Sequence, residues 1–262
     1  MIRVGIGGWN FAPWRGTFYP REVKAAGELG YASRHLTTIE INGTFYRTQS
    51  AASFAKWRDE TPEGFVFSVK GHRAVVNSRK LAEAGEPVAW FLKSGVLELG
   101  DKLGPLLWQM APFRKFDRDD LGAFLSLLPQ AMNGRKLLHA LEVRHESFLT
   151  PAFIELLREH DTAVVFADSD EHPAIADVTS GFVYARLQKS REEHETGYPP
   201  AELDQWAARL RRWRDGGSPD DLPHHHEKRA AKKKRPVFAY VISGAKVRAP
   251  AAAMALIERL KG

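Results

Sequence analysis

Thr37-Thr38-Ile39-Glu40-Ile41-Asn42-Gly43-Thr44-Phe45-Tyr46-Arg47 alternates in its first half and breaks at Asn42-Gly43. Alternation of period two over Thr38 to Ile41 predicts a short strand, and Asn-Gly is a turn signal. The strand therefore delivers a carboxylate, Glu40, to its own C-terminal end, and the turn adds Asn42, Thr44, Tyr46 and Arg47. A turn that only satisfied its own backbone would not call for an acid, an amide, two hydroxyls and a cation together.

The same grammar recurs on both sides of this stretch. Apolar, β-rich runs end in polar or glycine residues and are each followed by a helical pattern. Expected strands are Arg3 to Gly7, Thr38 to Ile41, Phe65 to Lys70, Pro105 to Gln109, His139 to Arg144, Ala163 to Ala167 closed by Asp168, Phe182 to Leu187 and Val237 to Ile242. Helices are expected near Glu22 to Ser33, Ser50 to Glu60, Ser78 to Ala84, Val88 to Leu99, Asp119 to Leu128, Pro151 to His160, Pro200 to Arg214 and Pro250 to Leu260. Thr150 before Pro151 is a strong start signal for the sixth of these chain regions. The connection Ser169 to Gly181 is short and weakly helical, so one outer helix is expected to be reduced or missing.

Eight strands alternating with helices predict an α/β protein, a single TIM-like (β/α)8 barrel over residues 1–262, a usual length for that fold. A doubly wound open sheet is the runner-up. Gly5-Ile6-Gly7-Gly8 lacks the G-x-G-x-x-G spacing, which discounts a dinucleotide site. Residues 215–236, rich in Gly, Pro, His and Lys, read as a basic, flexible loop insertion, and His224-His225-His226 within it as a solvated tract.

With 44% hydrophobic residues, 15 Phe and 7 Trp, the 262-residue chain can fill a sizeable core. The absence of cysteine excludes disulfides, thiolate catalysis and Cys-ligated metal centres. The N-terminus reads as a strand with no leader pattern and no apolar run spans a bilayer, so a cytoplasmic protein without a membrane partner is expected. A formal net charge of +6 favours an anionic ligand, although much of the excess lies in the run Lys228 to Arg235.

In a barrel the strand ends build the active face. Around it stand Trp9, Glu40, Asn42, Lys70, Gln109, Glu142, Arg144, Asp168, Arg186 and Ser243. Glu40 and Glu142 are the acid/base pair of this set, and Lys70 is a base or anion contact; these three are the catalytic candidates. Trp9, Asn42, Tyr46, Gln109, Arg144, His145, Asp168 and Arg186 are the substrate-binding candidates, Arg144 and Arg186 as a clamp for a carboxylate or phosphate. Glu40 is expected to pair with Lys70. No metal is assigned: a divalent ion on Glu40, Glu142, Asp168 and His145 is the alternative, disfavoured by the cations nearby and by the lack of diagnostic spacing. The aromatics Trp9, Phe11, Trp14, Phe18 and Tyr19 of the first loop are expected to divide between lid packing and a pocket wall.

Several segments together carry a resemblance: Gly7-Gly8-Trp9 with Trp14 to Pro20, Ile39 to Arg47, Phe65 to Lys70, Leu103 to Gln109, and Leu141-Glu142-Val143-Arg144-His145-Glu146-Ser147-Phe148. In these the chain resembles the YecE-like family, the domain-of-unknown-function 72 family. The resemblance implies a TIM-like barrel and no established reaction. Where the family tends to have Thr-His after the third strand, Arg-Leu-His-Gly after the seventh and Phe-Asn-Asn at the eighth, this chain has Val76-Asn77, Arg186-Leu187-Gln188-Lys189 and Val241-Ile242-Ser243.

The functional expectation is an enzyme, a hydrolase, lyase or isomerase, using acid/base chemistry on a polar substrate with an anionic group. A nucleic-acid-binding or nucleic-acid-processing barrel is one alternative, and a non-catalytic small-molecule sensor or scaffold is the other.

Overall fold

The computed structural model describes residues 1–261. Eight strands close into an all-parallel barrel: β1 Ile2–Gly7, β2 Thr38–Ile41, β3 Val66–Lys70, β4 Leu103–Gln109, β5 His139–Glu142, β6 Thr162–Asp168, β7 Val183–Leu187 and β8 Val237–Val241. They neighbour one another in chain order, and β1 pairs with β8 to close the ring. The helices are α1 Glu28–His35, α2 Ala51–Glu60, α3 Arg73–Val76, α4 Gly85–Lys93, α5 Arg118–Leu127, α6 Pro151–Glu159, α7 Pro200–Arg214 and α8 Ala249–Leu260. This is the expected α/β TIM-like barrel. Among the described residues no helix is long and apolar enough to cross a membrane.

Local chemistry explains the helix starts. Thr150 accepts from the Phe153 N–H at the head of α6, with Pro151 at the first helical position, and Asp117 accepts from the N–H groups of Asp119 and Asp120 at the head of α5. The third connection departs from expectation. Its helices are α3 and α4 with 3₁₀ turns around them, because Gly95 takes φ 112° and ends the run expected to continue to Leu99. The first helix likewise starts at Glu28 rather than Glu22, after the 3₁₀ turn Ala25–Gly27. A two-residue hairpin, Ala131–Met132 with Arg135–Lys136, was not expected.

As anticipated, no helix stands between β6 and β7. The extended stretch there buries Ile175, Ala176 and Val178. It is backed by the segment after α7: the Ala176 N–H donates to the Pro223 carbonyl at 2.8 Å. The His224 side chain is 7% exposed rather than solvated, and Asp177 accepts from the His225 N–H at 2.7 Å. The histidine tract is thus packed where an outer helix is missing.

Two apolar clusters hold the molecule. One fills the space between barrel and helices; the other, Leu107, Ala140, Ala163, Val165, Phe182, Tyr184, Phe238 and Tyr240, fills the barrel itself. Close approach of β1 to β2 is part of this packing, since a Cβ on Gly5 would meet the Thr38 carbonyl oxygen at 1.8 Å. Because side chains alternate along a strand, the residue two beyond an inward one also points inward. Leu107, Ala140 and Tyr184 are followed in this way by Gln109, Glu142 and Arg186, so the top layer of the barrel is polar.

Candidate functional site

That top layer is one connected network. Arg186 donates from Nη1 to Glu142 Oε2 at 2.5 Å and from Nη2 to Glu40 Oε1 at 3.1 Å. Tyr184 OH donates to Glu40 Oε2 at 2.6 Å and shares a 2.6 Å bond with the Ser68 hydroxyl. Glu142 also accepts from Gln109 Nε2 at 2.8 Å and from Arg144 Nε at 3.0 Å. Gln109 in turn accepts from Lys70 Nζ at 2.7 Å, and the Lys70 ammonium lies 4.1 Å from the centre of the Phe45 ring. Beneath, Tyr240 OH and Thr38 Oγ1 are 2.9 Å apart.

The expected Glu40–Lys70 pair is not formed. Arg186 reaches across the barrel and takes both carboxylates in its fork, which a planar guanidinium does better than an ammonium. Lys70 is left with a neutral acceptor and an aromatic face.

Glu40 and Glu142 are fully buried and Lys70 is 9% exposed, so each charge is set by its neighbours. Burial alone would raise the Glu142 pKa, but Arg186, Arg144 and the Gln109 bond outweigh it and hold the carboxyl at about 2. The Arg186 guanidinium, penalised by burial, is nonetheless pushed up by Glu142 and Glu40. Burial and then Arg186 lower the Lys70 ammonium to about 8, with Glu40 and Glu142 opposing. Glu142 is therefore a fixed anion at neutral pH, whereas Lys70 exchanges its proton near it.

The other expected site residues are distributed around this network. Asn42 and Trp9 line a 380 Å³ cleft over the ends of β1 and β2, together with Phe11, Gln49, Trp57 and Lys246. Trp9 packs edge-on against Trp57 at 5.1 Å. Arg144 lines a second cleft of 560 Å³ between the loops that follow β5 to β8. Asp168 stands apart from the network, its nearest cation Lys189 at 3.8 Å, and burial raises its pKa. His145 caps the 3₁₀ turn Glu146–Phe148 by accepting from the Ser147 N–H at 3.1 Å. Tyr46 is exposed beside Arg73. Of the four residues of the metal alternative, Glu40 and Glu142 meet on the Arg186 guanidinium, whereas Asp168 and His145 make no bond to that network, and among the described residues no three His, Asp or Glu side chains form a metal-holding group.

Of the first-loop aromatics, Trp14, Phe18 and Tyr19 are core residues, with Trp14 Nε1 donating to the Lys246 carbonyl at 2.9 Å. The run Lys228 to Arg235 precedes β8, so it lies at the opposite end of the barrel from the mouth. Tyr184 and Phe45 were missed in the sequence. Tyr184 carried a signal, since it sits two residues before Arg186 in one strand and so shares its face.

A family model described as "Protein of unknown function DUF72" matches residues 3–262. UPF0759 protein YunF of Bacillus subtilis (strain 168) is 27% identical over 160 residues, 59% of this chain and 55% of the relative. UPF0759 protein YecE of Escherichia coli (strain K12) is 26% identical over 154 residues, 56% of this chain and 50% of the relative. The matched part is thus about half the length of either relative. The crystal structure of a DUF72 family protein from Thermotoga maritima MSB8 superposes with a TM-score of 0.76 at 21% identity, covering 100% of both chains, a likeness of fold. With the family model matching nearly end to end on a barrel whose polar layer is built from β2, β3, β4, β5 and β7, the chain belongs to the DUF72 family.

Proposed function

We propose that the barrel mouth is the active site of an enzyme that moves a proton on a small polar substrate bearing an anionic group. Lys70 is the proton-exchanging group, Arg144 the anion contact, and Glu40, Arg186 and Glu142 the fixed frame that sets their charges. The carrying observation is the Lys70 ammonium, which is held in a nearly closed site by the Gln109 carbonyl oxygen at 2.7 Å and the Phe45 ring instead of a carboxylate. A buried lysine without an ion-pair partner loses its proton readily, and a pKa near ambient pH is what general acid/base work needs. Glu40 and Glu142 keep a role in this reading as electrostatic positioning groups.

A second reading, a barrel that binds a small molecule without converting it, is favoured by the engagement of both carboxylates with Arg186. One experiment separates the two. A panel of small phosphorylated and carboxylated compounds is incubated with the protein in D2O and followed by NMR. Conversion or deuterium incorporation that Lys70→Met lacks is expected. Compounds that bind but are left unchanged by the unaltered protein would sink the catalytic reading and leave the sensor.

A further inference from the structure

The 560 Å³ cleft lies among the loops after β5, β6, β7 and β8, and its volume suits a small molecule. Loops after the seventh and eighth strands are where barrels of this kind recurrently hold phosphate. Three features of this chain point the same way. Arg144 lines the cleft and spends only Nε on Glu142; its two terminal nitrogens make no hydrogen bond among the described residues. Gln188 lines it too, and its amide Nε2 is shielded from water with no acceptor. Ser243 and Gly244 take φ 65° and 54°, and their backbone N–H groups have no acceptor among the described residues.

An arginine fork, an amide donor and two successive backbone N–H groups form a donor set for a tetrahedral oxyanion. Among the charges of the lining, Asp170 is matched by Lys189 at 2.6 Å and Arg191 by Glu202 at 2.6 Å, while Arg144, held through Nε alone, keeps its terminal N–H groups for a ligand.

We infer that this cleft is a phosphate subsite for a small phosphomonoester, with Arg144 as the bidentate contact and Gln188 and the Ser243-Gly244 N–H groups completing the cradle. The inference deepens the proposed function and rests on its reading of the mouth as an anion site. It also gives a role to two of the positions, 188 and 243, at which the chain departs from the pattern it resembles.

The test is titration of the full chain with inorganic phosphate, ribose 5-phosphate and a dinucleoside phosphodiester, read by ³¹P NMR and calorimetry. Inorganic phosphate and ribose 5-phosphate are expected to bind with millimolar or better affinity, the ribose 5-phosphate tightening as pH rises through about 6, where the second proton of a phosphomonoester leaves. Gln188→Glu, checked for folding by circular dichroism, is expected to weaken binding at least about tenfold by placing a like charge in the cradle. Lys232→Met, in the exposed basic run at the opposite end of the barrel, is expected to leave it within about twofold. Equal binding by Gln188→Glu, loss of binding in Lys232→Met, or no binding by the unaltered protein would each overturn the subsite. Tighter binding of the diester would overturn the monoester assignment. Phosphate binding that follows this pattern without turnover of any compound would leave the subsite standing and remove the catalytic reading instead.

Discussion

Arg186 and Glu142 form a closed ion pair: Nη1 lies 2.5 Å from Oε2, and both side chains are sealed from solvent. The same guanidinium holds Glu40, so one cation on β7 ties β2 to β5 across the barrel. Two buried carboxylates depend on it, which makes the pair a place where function and folding are coupled.

Removing that cation is expected to be severe. Arg186→Met leaves Glu40 with Tyr184 alone and Glu142 with Gln109 and Arg144. Breaking a buried pair by deleting one partner costs about 3–5 kcal/mol. Urea unfolding at pH 7 should show a loss of that size; a loss below about 1 kcal/mol would mean that Lys70 and Arg144 neutralise the layer unaided.

Acid should act on the same pair. The Glu142 carboxyl titrates at about 2 in the folded chain against 4.5 ordinarily, so the unfolded chain takes up a proton first as pH falls. The stabilisation is complete above about pH 4.5 and is lost as pH drops towards 2, amounting to roughly 3 kcal/mol. Unfolding free energies measured at pH 7, 4 and 3 should fall less steeply for Glu142→Gln than for the unaltered protein. Parallel slopes would assign the acid sensitivity to other carboxylates.

The barrel was legible because its determinants are local. Period-two strands, a Thr150-Pro151 helix start and the weak helical pattern of 169–181 are each read within a dozen residues. Membership of Glu40, Lys70, Glu142 and Arg186 in one polar layer followed from their places at strand ends. Their pairing did not follow, because Arg186 and Glu40 are 146 residues apart and only register and side-chain reach bring them together. The same limit hid the packing of His224 and His225: composition marks a loop as polar, but the missing helix beside β6 makes this one a cover.

Lys70 should be a stability liability. Its folded pKa of about 8 lies below the usual 10.5, so between these values the unfolded chain binds more protons and stability rises with pH. At pH 7 the full penalty, at most about 3 kcal/mol, is present. Lys70→Met keeps most of the stem and removes the charge, so it is expected to raise Tm at pH 7 and to gain progressively less above pH 8. Such a gain is the signature of a site that trades stability for chemistry. A lowered Tm would show that the bond to Gln109 and the contact with Phe45 outweigh desolvation.

Asp177 should hold the cover over the β6–β7 flank. Its Oδ2 accepts from the His225 N–H at 2.7 Å, and His225 Nε2 lies 3.1 Å from the Ala174 carbonyl oxygen, so two chain segments meet at one buried acid. Hydrogen bonds to a charged group contribute about 1.5–3 kcal/mol. Asp177→Ala should therefore lower global stability by about that much where unfolding is two-state. Its local consequence is sharper: with the anchor gone, the exposed run from Lys228 to Lys234 should open more often than the barrel unfolds. Limited trypsinolysis under native conditions should then cut Asp177→Ala within that run while the strands stay intact. Cutting at the same rate as in the unaltered protein would show that the segment is held by the backbone bond between Ala176 and Pro223 rather than by the acid.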